Sequence, residues 1–133
     1  MTVVLDSGAV VAALADDRSE GHWAEGQLGA GDLVAPHIMP SEAANVLRRL
    51  EITGALPRRR ATTAHERLVA LPVDLVPYGG LALRVWELRG NLTIYDAWYV
   101  ALAESLDAPL VTLDRRLARA PGPRCEFRTP DEP

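Results

Sequence analysis

Thr2-Val3-Val4-Leu5-Asp6-Ser7-Gly8-Ala9-Val10-Val11-Ala12-Ala13-Leu14 is the stretch that decides the fold. The β-branched apolar run from Thr2 reads as a strand that stops at Asp6-Ser7-Gly8, and the apolar residues that follow without a gap read as a buried helix. A strand passing straight into a helix is the opening half of a parallel βαβ unit.

The remainder of the chain repeats that alternation. A polar segment at 16–21 precedes a helix expected at about 22–28, ended by Gly29-Ala30-Gly31. Leu33-Val34-Ala35 is a second strand. Pro40-Ser41-Glu42 opens a helix to about residue 52, with Ala43, Val46, Leu47 and Leu50 at helical spacing and Gly54 closing it. Pro57 begins another helix, to about residue 71, whose first turn carries Arg58-Arg59-Arg60. Val73-Asp74-Leu75-Val76 is a third strand, and residues 81–88 read as helical. Thr93 starts the clearest helix, at 94–106. Leu110-Val111-Thr112-Leu113 forms a fourth strand that ends in Asp114 and enters a short helix. A weak fifth strand is expected near 125–128, and the tail after about 129 is expected to fray. The alternation predicts a single α/β domain over residues 1–133: a three-layer α/β/α sandwich around a parallel sheet of about five strands.

Composition excludes several classes. A chain of 133 residues is long enough for a core without staples. The single Cys125 rules out a disulfide framework or a cysteine-rich zinc site and suits a reducing cytoplasm. No apolar run approaches the roughly 20 residues of a spanning helix, and no basic region precedes the first apolar residues, so no signal peptide is expected. All 14 basic residues are arginine, which excludes lysine-dependent chemistry; GC-rich coding is the plain explanation. The net charge of −4 argues against an obvious nucleic-acid binder.

In open parallel sheets, sites form outside the C-terminal ends of the strands. Asp6 and Asp114 stand at two such ends, Glu42 in the first turn of the helix after the second strand, and Asp96 in the first turn of the helix begun by Thr93. Each has an ordinary explanation. Asp6 and Asp114 suit N-caps, Thr93-Ile94-Tyr95-Asp96 has capping-box spacing, and Glu42 complements a helix dipole. Together, four carboxylates along one sheet edge would raise one another's pKa values unless a cation were present, and hard ions such as Mg²⁺ or Mn²⁺ prefer such oxygen ligands.

These residues carry a family resemblance. Val-Leu-Asp6-Ser-Gly-Ala, Pro40-Ser-Glu42-Ala-Ala-Asn45-Val-Leu, Leu92-Thr-Ile-Tyr-Asp96-Ala-Trp-Tyr-Val-Ala-Leu-Ala and Leu110-Val-Thr-Leu-Asp114-Arg-Arg-Leu together resemble a PIN-domain ribonuclease, and most of all the VapC toxins of bacterial toxin–antitoxin pairs. The resemblance runs from about residue 3 to 128. It implies that Asp6, Glu42, Asp96 and Asp114 bind one or two Mg²⁺ or Mn²⁺ ions for metal-assisted phosphodiester hydrolysis of RNA. Thr112 and Ser7 would position water or a ligand. The alternative for Thr112 is a packed strand residue. Unlike family members with a further acid around the fourth site, Asp114 is followed by Arg115-Arg116. Those two arginines would hold RNA phosphates or be solvated near Glu126. The implied partners are a VapB-like antitoxin and a second copy of the chain in a homodimer, within a higher assembly or not. No membrane is implied.

Other features have bland readings. His22, His37 and His65 are read as solvent-facing or capping, and the arginine run at 58–60 as a solvated face or a site for an acidic partner. Trp86, Trp98, Tyr95 and Tyr99 are read as core, with a homodimer or antitoxin surface as the alternative. A receiver domain lacks its lysine here, and an Asp-x-Asp phosphatase is weakened by Gly8. A catalytically silent partner-binding module remains the rival. The four acids leave 14 others against the 14 arginines, so the net charge of −4 can be assigned to the site.

Overall fold

The structure is a computed structural model that describes residues 1–131. In chain order the elements are β1 (Thr2–Leu5), α1 (Ser7–Ala15), α2 (Ser19–Leu28), β2 (Asp32–Pro36), α3 (Met39–Ile52), α4 (Arg58–Ala70) and β3 (Val73–Val76). A 3₁₀ turn (Gly79–Leu81) then leads to α5 (Ala82–Glu87), α6 (Ile94–Leu106), β4 (Leu110–Val111), α7 (Arg115–Arg119) and β5 (Phe127–Arg128). The sheet is parallel throughout, in the order β3-β2-β1-β4-β5.

That order fixes the layers. The chain steps from β1 to β2 to β3 in one direction, then crosses back to β4 and on to β5. Right-handed crossovers put α1–α4 on one face and α5–α7 on the other. The packing agrees: α1 lies against α2, α3 and α4, whereas α6 packs on α5, β1, β2 and β4. Covered on both faces, β1 is continuously apolar, with Val3, Val4 and Leu5 fully buried. Between β1 and β4 the crossover direction reverses, and a cleft opens beyond the strand ends there.

Several boundaries differ from the sequence expectation. Helix α2 starts at Ser19 rather than 22, because Gly21 lets it lie directly on the end of α1; a Cβ there would meet the Asp16 carbonyl at 1.7 Å. Strand β4 stops at Val111, two residues short, and the Thr112 side chain beyond it is bonded to Asp6. Gly54 closes α3 at φ +81°, as the sequence indicates. Of the tail expected to fray after about residue 129, Pro130 is buried and accepts a 2.9 Å hydrogen bond from Arg115 Nη2; residues 132–133 lie outside the described residues.

The arginine run is partly structural. Arg60 Nη2 donates to the Ala15 carbonyl at 2.8 Å, and Arg67 Nη1 donates to that of Leu14 at 3.1 Å. Both satisfy the negative end of α1, while Arg58 and Arg59 stay exposed. The three histidines are exposed, as expected.

On the opposite layer, Arg84 of α5 grips Glu104 of α6 with two bonds (2.7 and 3.1 Å) and also donates to the Gly122 carbonyl at 3.0 Å. Burial opposes the Glu104 charge, yet the Arg84 guanidinium and the Arg124 N–H hold its carboxyl below the usual range. Arg84→Met leaves that half-buried carboxylate unpaired and is expected to cost about 2 kcal/mol of unfolding free energy, measured by urea denaturation. A loss within about 0.5 kcal/mol would mean the pair is worth no more than a surface one.

Candidate active site at the strand ends

The four acids reach the cleft from four elements. Asp6 caps α1, its Oδ1 accepting from the Ala9 N–H at 2.9 Å. Asp114 caps α7, its Oδ1 accepting from the N–H groups of Arg116 (2.9 Å) and Leu117 (3.2 Å). Glu42 and Asp96 sit in the first turns of α3 and α6. The Thr93 hydroxyl accepts from the Asp96 N–H at 3.1 Å, so the capping spacing in the sequence is real. Capping and clustering coexist, because helix N-termini help hold acids ionised.

Electrostatics tie the acids together. Burial pushes the Asp6 carboxyl up to about 6, partly countered by the Thr112 hydroxyl and the Ala9 N–H, and the Asp96 and Asp114 carboxylates add to the rise. Glu42 is raised by burial and by Asp96, against the opposing hydrogen bond from Tyr99. Asp96 is raised by burial and by Asp114. Arginines among the described residues pair with Asp16, Asp17, Glu87, Glu104 and Glu126.

Thr112 is a packed residue whose hydroxyl is bonded to two of the acids. It is fully buried, its hydroxyl donates to Asp6 Oδ2, and its Oγ1 accepts from the Asp114 N–H at 2.9 Å. One side chain thus fixes two acids. Ser7 stands beside the Tyr99 oxygen. Tyr99 is the residue that sequence reasoning placed only in core or interface. It is 2% exposed, and its hydroxyl donates to Glu42 Oε1 at 2.8 Å. Burial and the Glu42 carboxylate push the phenol upward, so it keeps the proton it donates. Its position one helical turn after Asp96 was the available signal.

The other aromatics divide. Trp98 packs its edge on Tyr78 with ring centroids 5.3 Å apart, whereas Trp86 and Tyr95 are 58% and 56% exposed. Arg115 is turned onto the C-terminal segment through Pro130, while Arg116 is exposed beside Asp114. Glu126 pairs with Arg128 at 3.5 Å.

The donor set suits a hard divalent cation: it is all oxygen, and the carboxyls of Asp6, Glu42 and Asp96 are raised above their usual range, chiefly by burial. The acids stand open rather than closed on a point; among the described residues no three His, Cys, Asp or Glu side chains already form a ligating group. A groove of about 440 Å³ runs along α1 from Gly8 to Asp17, with Leu113 at its wall and Arg18 and Arg60 along it; none of the four acids lines it.

The PIN-domain family profile matches residues 3–123. The chain belongs to the PIN-domain family. This PIN domain is 39% identical over 126 residues to ribonuclease VapC1 of Mycobacterium tuberculosis, covering 94% of this chain and 95% of the relative. It is 42% identical over 126 residues to ribonuclease VapC9 of the same organism, covering 92% and 94%. Among solved structures, VapBC2 from Rickettsia felis, bound to a DNA fragment from its promoter, matches with a TM-score of 0.69 over 97% of this chain and 98% of that one. At 14% identity that likeness speaks to the fold. The five-stranded parallel α/β/α architecture read from the sequence is therefore that of the PIN fold.

Proposed function

We propose that this PIN domain is a Mg²⁺- or Mn²⁺-dependent endoribonuclease and the toxin of a type II toxin–antitoxin pair. One observation carries the reading: four carboxylates from four elements stand within electrostatic reach of one another at the topological switch point, with Asp6 pushed up to about 6. Its VapC relatives at 39% and 42% identity support the toxin role.

Asp6, Asp96 and Asp114 are the residues to hold one or two divalent ions, with Glu42 completing the set. When bound, such an ion lowers the pKa of a water and neutralises charge on the phosphate. The chain's own contribution is placement. Asp6 is fixed from both sides by Ala9 and Thr112, and Asp114 keeps Oδ2 without a hydrogen bond among the described residues. The exposed Arg116 is the arginine suited to a flanking phosphate. The acidic balance is then no objection to an RNA substrate, because bound cations belong in the local charge. A VapB-like antitoxin presenting a basic residue to the acids, self-association as a homodimer, and a cytoplasmic setting complete the proposal. Among the described residues no helix is long and apolar enough to cross a membrane.

The test has two arms. Purified chain should cleave RNA internally in Mg²⁺ or Mn²⁺ and leave it intact with EDTA, and sequencing the ends would define the site cut. Expressed without antitoxin, the intact chain should stop growth and Asp6→Ala should not. RNA left intact in both ions would leave a silent partner-binding module as the better account. Equal growth of both strains would remove the toxin role alone.

A further inference from the structure

The two helical layers of a sandwich are joined through the sheet, so side chains projecting from opposite layers over its C-terminal edge have no shared backbone to set their spacing. Glu42 comes from α3 in one layer and Asp96 from α6 in the other. One hydrogen bond spans that gap: the Tyr99 hydroxyl to Glu42 Oε1, at 2.8 Å and across 57 positions of chain. Tyr99 is itself immobilised, 2% exposed within the core on the same helix as Asp96. Ser7, next to Asp6, stands beside its oxygen.

We infer that Tyr99 is a positioning residue for the acidic centre, aiming Glu42 from the opposite layer so that Oε2 faces the cleft. The bond uses one oxygen of Glu42, and Oε2 has no hydrogen-bond partner among the described residues. Without the bond, Glu42 is a half-buried, first-turn glutamate with several open rotamers. With it, the carboxylate is held by a rigid aromatic whose ring is packed on all sides. The role of Tyr99 rests on the nuclease reading above and adds to it a residue that touches neither RNA nor cation.

Tyr99→Phe keeps the ring and removes only the donor. The melting temperature is expected to move by less than about 4 °C, the scale of one hydrogen bond in a domain of this size. In Mn²⁺, kcat for RNA cleavage should fall about tenfold with KM unchanged, as for partners that orient ligating groups elsewhere. Mn²⁺ affinity by isothermal titration calorimetry should weaken by a similar factor. Glu42→Ala closes a cycle. If Tyr99 acts through Glu42, the double variant is no worse than Glu42→Ala in either Mn²⁺ affinity or cleavage. Losses that multiply, or a Tyr99→Phe chain with wild-type affinity and kcat, overturn the positioning role while leaving the nuclease standing. A wild-type chain that neither binds Mn²⁺ nor cuts RNA overturns both.

Discussion

Asp6→Asn is expected to stabilise the metal-free protein at neutral pH while abolishing RNA cleavage. Burial pushes the Asp6 carboxyl from 3.8 up to about 6, so the folded chain holds this proton more tightly than the unfolded one. Its contribution favours folding fully below about 3.8 and is lost as pH rises through about 6. At neutral pH the buried charge costs about 3 kcal/mol relative to the same carboxylate in water. Asparagine keeps the cap on Ala9 without the charge. The Thr112 hydroxyl must then turn, which takes back about 1 kcal/mol. The variant should therefore exceed wild type by about 2 kcal/mol in urea unfolding above about pH 7, and the gap should close toward about pH 4. A gap that does not vary with pH would show that Asp6 is not strained by its charge. Cleavage by the variant should fall at least about a thousandfold, or about 4 kcal/mol of barrier; retained cleavage would remove Asp6 from the chemistry.

Mn²⁺ is expected to raise the melting temperature of the wild-type chain by roughly 10 °C at a hundred times its Kd, since binding to the folded state alone adds about 2.7 kcal/mol there. The physical reason is that charge on these carboxyls is opposed, first by burial, which raises Asp6 and Asp96 most, and then by one another: Asp96 and Asp114 add to the rise of Asp6, and Asp114 to that of Asp96. A divalent cation reverses each of those terms at once. Asp96→Asn should lose most of the shift, although its cap from Thr93 goes to the backbone N–H and survives. A wild-type melting curve unmoved by either Mn²⁺ or Mg²⁺ would end the cation-holding role of these side chains.

Much of the fold was legible because local signals agreed with the tertiary outcome. Thr93 is a side-chain cap, α6 runs over Ile94–Leu106, and β3 occupies Val73–Val76, all as their patterns indicate. The start of α2 was illegible because Ser19-Glu20-Gly21 is polar and contains a helix-weakening glycine. Contact with the end of α1 overrides that propensity. The end of β4 was illegible for the opposite reason. Thr112 and Leu113 suit a strand, and Thr112 still donates its N–H to the Arg128 carbonyl at 3.0 Å, but its side chain belongs to Asp6.

The candidate site shows the same division. The sequence by itself determined which four acids would stand at strand ends and first helical turns, because capping chemistry and the βαβ order follow from local residue types. It could not distinguish Tyr99 in a plain core from Tyr99 holding Glu42, nor Arg60 on a solvated face from Arg60 capping α1. Both depend on pairs far apart in the chain, 57 and 45 positions, which no local pattern encodes. Tertiary structure decided them by stacking two helical layers on one sheet, which also brings Asp6 under the electrostatic influence of Asp96 and Asp114 beyond the strand ends.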